Sequence, residues 1–150
     1  MADKKEIIEN LIIAYWMEIE TVINYIANSI NLVGVRAEEI KKSLALDITE
    51  EIAHAQTLAK RIKEVGGIVP GSLDLKPEQT YLQPRADTTD VASVIEGVIE
   101  AENGAIEQYN KLIKLSEGVD YVTQDLCISL LAMEESHRID FIGFLKEYKK

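Results

Sequence analysis

The sequence predicts an all-α protein: a four-helix bundle with a long crossover between the second and third helices. Four segments carry the apolar period of amphipathic helices, and the connections between them are short, long and short. Short connections join antiparallel neighbours, whereas a connection of roughly 20 residues can run the length of a bundle. The chain has 150 residues, enough to bury a core, and we expect residues 1–150 to form a single domain.

The first two helices are predicted over about 4–32 and 37–65. Gly34 interrupts the apolar period between them, and the Gly66–Gly67 pair ends the second helix. The side chains predicted to face the core are Leu11, Ala14, Tyr15, Val22, Tyr25 and Ile26 in the first helix and Ile40, Leu44, Ile48, Ala55, Leu58 and Ile62 in the second.

The long crossover is predicted over about 68–85, where the helical period is lost and three prolines accumulate with a glycine. Residues 87–90 (Asp-Thr-Thr-Asp) are all N-cap candidates for a third helix. Gly118 and Asp120 mark a short turn before a fourth helix over about 122–148. The side chains of the third helix predicted to face the core are Val91, Val94, Ile95, Val98, Ile106, Tyr109 and Ile113.

The composition argues against several classes of function. The formal net charge is −10, and the lysines and arginines are scattered or, like Lys149 and Lys150, terminal, so we expect no nucleic-acid partner. No apolar stretch reaches the roughly 18 residues of a membrane span. The charged N-terminal segment does not resemble a signal peptide, and the lone Cys127 cannot form an internal disulfide. We therefore expect a cytoplasmic protein.

Both histidines of the sequence follow a glutamate three positions earlier. Glu51 precedes His54 in the second predicted helix, and Glu134 precedes His137 in the fourth. A spacing of i, i+3 places both side chains on one helix face, where they can share a metal ion. These two Glu-x-x-His pairs are the strongest candidates for a functional site.

Two further glutamates make the pattern a duplication. Glu18 lies 33 positions before Glu51, Glu102 lies 32 positions before Glu134, and a tyrosine follows each of the two seven residues later. Such a repeat predicts a bundle of approximate twofold symmetry in which all four helices contribute to one central cluster. The alternative, that these are ordinary exposed helix residues, requires six positions to match by coincidence. We expect the two tyrosines to donate hydrogen bonds to ligand carboxylates rather than take part in redox chemistry.

The predicted cluster favours two divalent cations. Glu18 and Glu102 continue apolar stripes of their helices, so the cluster would lie inside the bundle. Glu20 lies in the same apolar run as Glu18 and is the competing choice, although the spacing favours Glu18. Buried carboxylates are costly unless their charge is offset. Oxygen and imidazole ligands without thiolate suit iron or manganese and are not typical of a structural zinc site.

These features resemble bacterioferritin and its ferritin-like relatives over about residues 11–148. The segments MEIETVINY, EIAHAQTLAKRI and DYVTQDLCISLLAMEESH resemble the family's first, second and fourth ligand-bearing helices. The resemblance implies a ferroxidase centre of two iron ions that oxidises Fe(II) with dioxygen or hydrogen peroxide, in iron storage or detoxification. Manganese in one of the two positions is an alternative.

The resemblance also implies a role for each ligand. Glu51 and Glu134 bridge the two irons. Glu18 and His54 are then the terminal ligands of one iron. Glu102 and His137 are those of the other. An ungapped alignment places the family's third-helix glutamate at Ala101, but we prefer Glu102, which continues the apolar stripe and the duplicated pattern.

Three departures from the family limit what the resemblance implies. Ile52 stands where the family has its haem-ligating methionine, so no haem is expected. Leu46 and Glu50 stand where some bacterioferritins have a further histidine and aspartate, which weakens the case for an inner iron site. Only 13 residues follow His137, too few for the family's fifth helix, so we expect a homo-oligomer that is either a dimer or a cage.

Two other functions compete with the ferroxidase. A rubrerythrin-like peroxidase would keep its iron and oxidise a separate reductant, but its usual rubredoxin module needs two Cys-x-x-Cys pairs, which Cys127 alone cannot supply. A non-catalytic bundle that only binds two metal ions is the other alternative.

Overall fold

The four-helix bundle is confirmed by a computed structural model, which describes residues 3–148. Lys149 and Lys150, the predicted terminal cations, lie outside these described residues. Within them no strand occurs. The helices are α1 (Lys4–Asn31), α2 (Glu38–Glu64), α3 (Val91–Ser116) and α4 (Tyr121–Tyr148).

The helices form two hairpins. α1 packs mainly against α2 and α3 mainly against α4, and contacts between α1 and α3 join the two hairpins. None of the helices in residues 3–148 combines the length and the apolar character that a membrane crossing requires.

The helix ends follow the signals in the sequence to within about a residue. Asp3 caps α1 by accepting the backbone N–H of Glu6, and Asp90, one of the four predicted candidates, caps α3 by accepting that of Ser93. After α2, Gly66 adopts a φ of +93°, a left-handed conformation that glycine adopts without steric cost and that ends the helix.

The crossover between α2 and α3 is held against α1 by a buried carboxylate. Glu20, which lies on α1, accepts the backbone N–H of Glu78 at 2.9 and 3.0 Å and that of Gln79 at 2.8 Å. Two short 3-10 turns, Ser72–Asp74 and Thr80–Leu82, interrupt the otherwise irregular segment.

The crossover also lies very close to α3. A Cβ atom added to Gly97 would stand 2.5 Å from the carbonyl oxygen of Tyr81. Only glycine therefore allows the crossover to approach α3 this closely. The contact places the side chain of Leu82 in the core.

The apolar core consists of two clusters, one toward each end of the bundle. One includes Tyr25, Leu44, Ile95 and Phe141, and the other includes Leu11, Leu58, Leu112 and Cys127. On every helix the predicted ligand positions fall between the residues that contribute to the two clusters. The middle of the bundle is therefore polar, although it is as buried as the core.

One core prediction is wrong. Ile26 was expected to face the core, but its side chain is 46% exposed. The neighbouring Tyr25 takes the core position, and consecutive residues of a helix point about 100° apart. Ile26 instead lies on the solvent side of α1 with Ile23 and Ile30, which are also exposed.

The Glu20 contact with the crossover can be tested by substitution. Glu20→Gln removes the charge and one of the two acceptor oxygens, so we expect it to lower the free energy of unfolding by about 1–3 kcal/mol. Urea denaturation of the metal-free protein measures this change. Glu9→Gln is the matched control, because Glu9 is exposed and pairs with the exposed Lys5 at the surface. Equal stability of the two variants would show that Glu20 does not hold the crossover.

Candidate metal centre

The structure brings all six predicted site residues together in the middle of the bundle. Their side chains form two groups in which every candidate ligand atom lies within 4.8 Å of the others, and all six residues are buried. The groups are Glu18, Glu51, His54 and Glu134, and Glu51, Glu102, Glu134 and His137. Glu51 and Glu134 belong to both groups and therefore lie between them.

The first group surrounds the Nδ1 atom of His54. This atom lies 2.9 Å from an oxygen of Glu134, 3.5 Å from one of Glu51 and 3.6 Å from one of Glu18. Three carboxylates from three helices, α1, α2 and α4, thus face the same imidazole nitrogen.

The second group surrounds the Nδ1 atom of His137. Its distances to carboxylate oxygens are 3.4 Å for Glu51, 3.8 Å for Glu134 and 4.0 Å for Glu102. The two imidazole rings are nearly parallel, with centroids 6.4 Å apart and an interplanar angle of 17°. The centre therefore consists of two similar halves that share two carboxylates.

Two buried tyrosines support the outer carboxylate of each half. Tyr25 on α1 donates a hydrogen bond of 2.6 Å to Glu102 on α3, and Tyr109 on α3 donates one of 2.9 Å to Glu18 on α1. Each of the two helices thus donates a tyrosine hydrogen bond to the glutamate of the other, as the duplicated pattern in the sequence implies. The predicted hydrogen bonds from the tyrosines are present.

The competing positions lie elsewhere. The carboxylate of Glu20 is occupied by the backbone of the crossover, and Ala101 belongs to the apolar cluster around Tyr25. Glu18, which the spacing favours, is the α1 carboxylate that lies in the cluster. Glu102, which helical geometry favours over the position given by the ungapped alignment, lies there too. Their role as ligands stays a prediction.

Unpaired polar atoms in the cluster fit a bound cation. One oxygen each of Glu18, Glu51 and Glu102 is buried without a hydrogen-bond partner, as is Nδ1 of His137. Leaving such an atom unpaired costs about 1–3 kcal/mol, and more if it is charged. Divalent ions bound between these atoms would satisfy them together, with a donor set of carboxylate oxygen and imidazole nitrogen that suits iron or manganese.

Protons offset the buried charge in the metal-free chain. Burial lowers the pKa of both histidines, but nearby carboxylates outweigh it and raise the pKa of His54 to about 10 and that of His137 to about 11. Burial, reinforced by Glu134, raises the pKa of Glu102 well above its ordinary value. Burial opposes ionisation of Glu134 too, but its proximity to Glu102 and to both histidines lowers its pKa.

A third acidic group adjoins the centre on the outer side of His137. The Nε2 atom of His137 contacts Glu50 through a hydrogen bond and lies 3.6 Å from Asp47. The sequence analysis did not identify Asp47, although it lies four residues before Glu51 and hence on the same face of α2. On the other side of the centre, Nε2 of His54 lies 3.3 Å from the sulfur of Met133.

Comparisons with known proteins find matches over most of the chain. A family model described as the ferritin-like domain matches residues 9–150. The chain is 27% identical over 143 residues to the DNA protection during starvation protein of Pyrococcus furiosus, covering 93% of this chain and 76% of that protein. It is 28% identical over 136 residues to the bacterioferritin of Desulfovibrio desulfuricans, covering 89% of this chain and 71% of that protein.

Solved structures share the same bundle. The dodecameric thioferritin of Bacteroides fragilis, a bacterioferritin-related protein, has a TM-score of 0.85 at 27% identity, over 98% of this chain and 88% of that one. A structure of the D. desulfuricans bacterioferritin, whose diiron site is described in different catalytic states, has a TM-score of 0.83 at 25% identity. The match covers 97% of this chain and 81% of that one. The predicted fold class is confirmed.

The raised pKa values of the histidines predict that metal binding releases protons. At pH 7 both imidazoles are protonated, and each must lose a proton before its Nδ1 can bind a metal ion. We expect at least the two imidazole protons to be released as two Co(II) ions bind, in addition to any proton held by Glu102, and we expect the apparent affinity to increase with pH up to about pH 10. Anaerobic calorimetry in buffers of different ionisation enthalpy measures the release, and His137→Ala should release about one proton fewer. An affinity independent of pH between 6 and 9 would contradict this.

Proposed function

The chain belongs to the family of ferritin-like domains, and on this premise we propose that it is a di-iron carboxylate protein that oxidises Fe(II) with dioxygen or hydrogen peroxide. Iron storage or detoxification is the proposed purpose of this ferroxidase activity. The observation that carries the proposal is the pair of overlapping buried groups in which Glu51 and Glu134 are shared.

The proposed role of each residue follows from its position. Glu51 and Glu134 would act as the bridging ligands, because each lies in both groups. Glu18 with His54 would be the terminal ligands in one half, and Glu102 with His137 in the other. Iron held there would supply the redox chemistry, one electron from each Fe(II) to the oxidant. Burial of all six side chains keeps water from competing with the ligands.

The hydrogen bonds of the two tyrosines orient the terminal carboxylates. Tyr25 donates to one oxygen of Glu102, and Tyr109 donates to one oxygen of Glu18. The other oxygen of each carboxylate has no hydrogen-bond partner. We propose iron in both positions, with manganese in one as the alternative. Haem is not part of the proposal, since the exposed Ile52 offers no ligand atom.

We propose a homo-oligomer, either a dimer or a cage, that works in the cytoplasm. Exposed isoleucines lie along one side of α1 at positions 23, 26 and 30, where a second copy of the chain can cover them. The partners are iron ions and the oxidant. Nucleic acid is not proposed as a partner, because a net charge of −10 opposes contact with phosphates.

Loss of a shared carboxylate should prevent binding of the pair of ions. We expect Glu51→Ala and Glu134→Ala to bind at most one iron per chain, because each substitution removes a ligand from both halves. Glu135→Ala is the control, since Glu135 is exposed beside Glu134 on α4. Anaerobic Fe(II) titration followed by iron analysis measures the stoichiometry. Two irons bound to either shared-ligand variant would show that its carboxylate does not bridge.

Aerobic addition of Fe(II) separates the ferroxidase from its alternatives. We expect oxygen consumption that continues over many irons per chain, whereas a non-catalytic binder would stop at two or fewer. A rubrerythrin-like peroxidase would retain two irons and turn over only with a separate reductant. Light scattering on the same fraction, separated by size exclusion, gives the size of the oligomer. A cage that accumulates iron supports storage, whereas a dimer that retains two irons contradicts it.

A further inference from the structure

The two halves of the centre differ at the outer nitrogen of each histidine. We propose that Glu50 and Asp47 are positioning residues for His137, and that through it they make this half of the centre the tighter cation site. The half that contains His54 is then the weaker and more readily exchanging site. This inference rests on the proposed dimetal function.

The inner donors of the two halves are matched. Each half has one histidine Nδ1, one terminal glutamate that accepts a tyrosine hydroxyl, and the two shared carboxylates. The two halves therefore match in the type of their inner donors, and they differ in the groups that contact the imidazole Nε2 atoms.

The Nε2 atom of His137 faces two carboxylates. It hydrogen bonds to Glu50, and the nearest oxygen of Asp47 lies 3.6 Å away. An anionic acceptor fixes the ring orientation and the tautomer that leaves Nδ1 free for a metal ion. It also makes Nδ1 a more basic ligand, because negative charge beside the N–H increases electron density in the ring.

The Nε2 atom of His54 faces a neutral and weak acceptor. The sulfur of Met133 lies 3.3 Å from it, and a thioether accepts hydrogen bonds poorly. The side chain of Met133 brings no negative charge to this nitrogen. The ligands thus follow approximate twofold symmetry, but the groups that contact the two Nε2 atoms do not.

The residues that contact the two outer nitrogens line a single cavity at the surface. Its volume is about 320 Å³, and its lining includes Asp47, Glu50, Met133 and His137, together with Asp140. The side chain of Glu50 is 44% exposed, and Met133 is 39% exposed. Substitutions at both positions should therefore be tolerated by the fold, which makes the proposal testable.

The first test measures the two stepwise Co(II) dissociation constants of the metal-free, full-length protein under nitrogen, by competition with a chelator. We expect Glu50→Gln, Asp47→Asn and the double variant to weaken the tighter step, the double variant by about 10- to 100-fold. Glu50→Asp, which keeps the charge, should recover part of the loss. Asp140→Asn is the control. Asp140 lines the same cavity, so its substitution also removes a negative charge there, but it leaves Glu50 and Asp47 in place beside His137.

The converse variant provides a gain of binding. Met133→Glu places a carboxylate beside Nε2 of His54, so we expect the weaker step to tighten by about 10-fold while the tighter step changes little. A structural disturbance alone would weaken binding rather than strengthen it. Unchanged constants in both Met133→Glu and the Glu50 and Asp47 variants would overturn the proposal.

The second test locates the first ion. Crystals of the wild-type protein with one Co(II) per chain should show most anomalous scattering in the half formed by His137 and Glu102. Higher or equal occupancy beside His54 would overturn the inference, as would cobalt on the Nε2 side of His137. Two ions bound with matched constants would overturn the inference alone. Failure of Co(II) to bind in the centre at all would overturn the proposed function itself.

Discussion

The main constraint on this structure is the free-energy cost of burying four carboxylates and two imidazoles in the middle of one bundle. Carboxylates placed this deeply are costly unless opposite charge or hydrogen bonds compensate them. In the metal-free chain the compensation comes from protons on His54 and His137 and from the raised pKa of Glu102. Divalent cations can replace those protons, and they would also satisfy the atoms of the cluster that lack a hydrogen-bond partner.

The rest of the fold surrounds this polar layer and holds its side chains in position. Apolar clusters seal it from both ends of the bundle. Tyr25 of α1 donates a hydrogen bond to Glu102 of α3, and Tyr109 of α3 donates one to Glu18 of α1. Because α1 and α3 belong to different hairpins, these bonds join the two hairpins at the site itself. Glu20 ties the crossover to α1 only two residues from Glu18, which couples the position of the long connection to the centre.

Symmetry in such a site need not extend beyond the ligands. The duplicated helices supply equivalent inner donors, but the environment of each outer imidazole nitrogen depends on neighbours that the duplication does not repeat. One nitrogen faces Glu50 and Asp47, and the other faces Met133. This difference between the outer contacts is the basis of the inferred difference in affinity between the two halves.

The sequence by itself determined the helices, the crossover and six residues that converge, because helical period and i, i+3 spacing are local properties of the chain. Duplicated spacing was enough to choose Glu18 and Glu102 over their neighbours. Only the tertiary structure decided the exposure of Ile26, the binding of Glu20 to the crossover, and the contacts of Asp47 and Met133 with the histidines. These depend on how each helix is rotated about its axis and which neighbour it meets, and that is set by packing between segments distant in sequence.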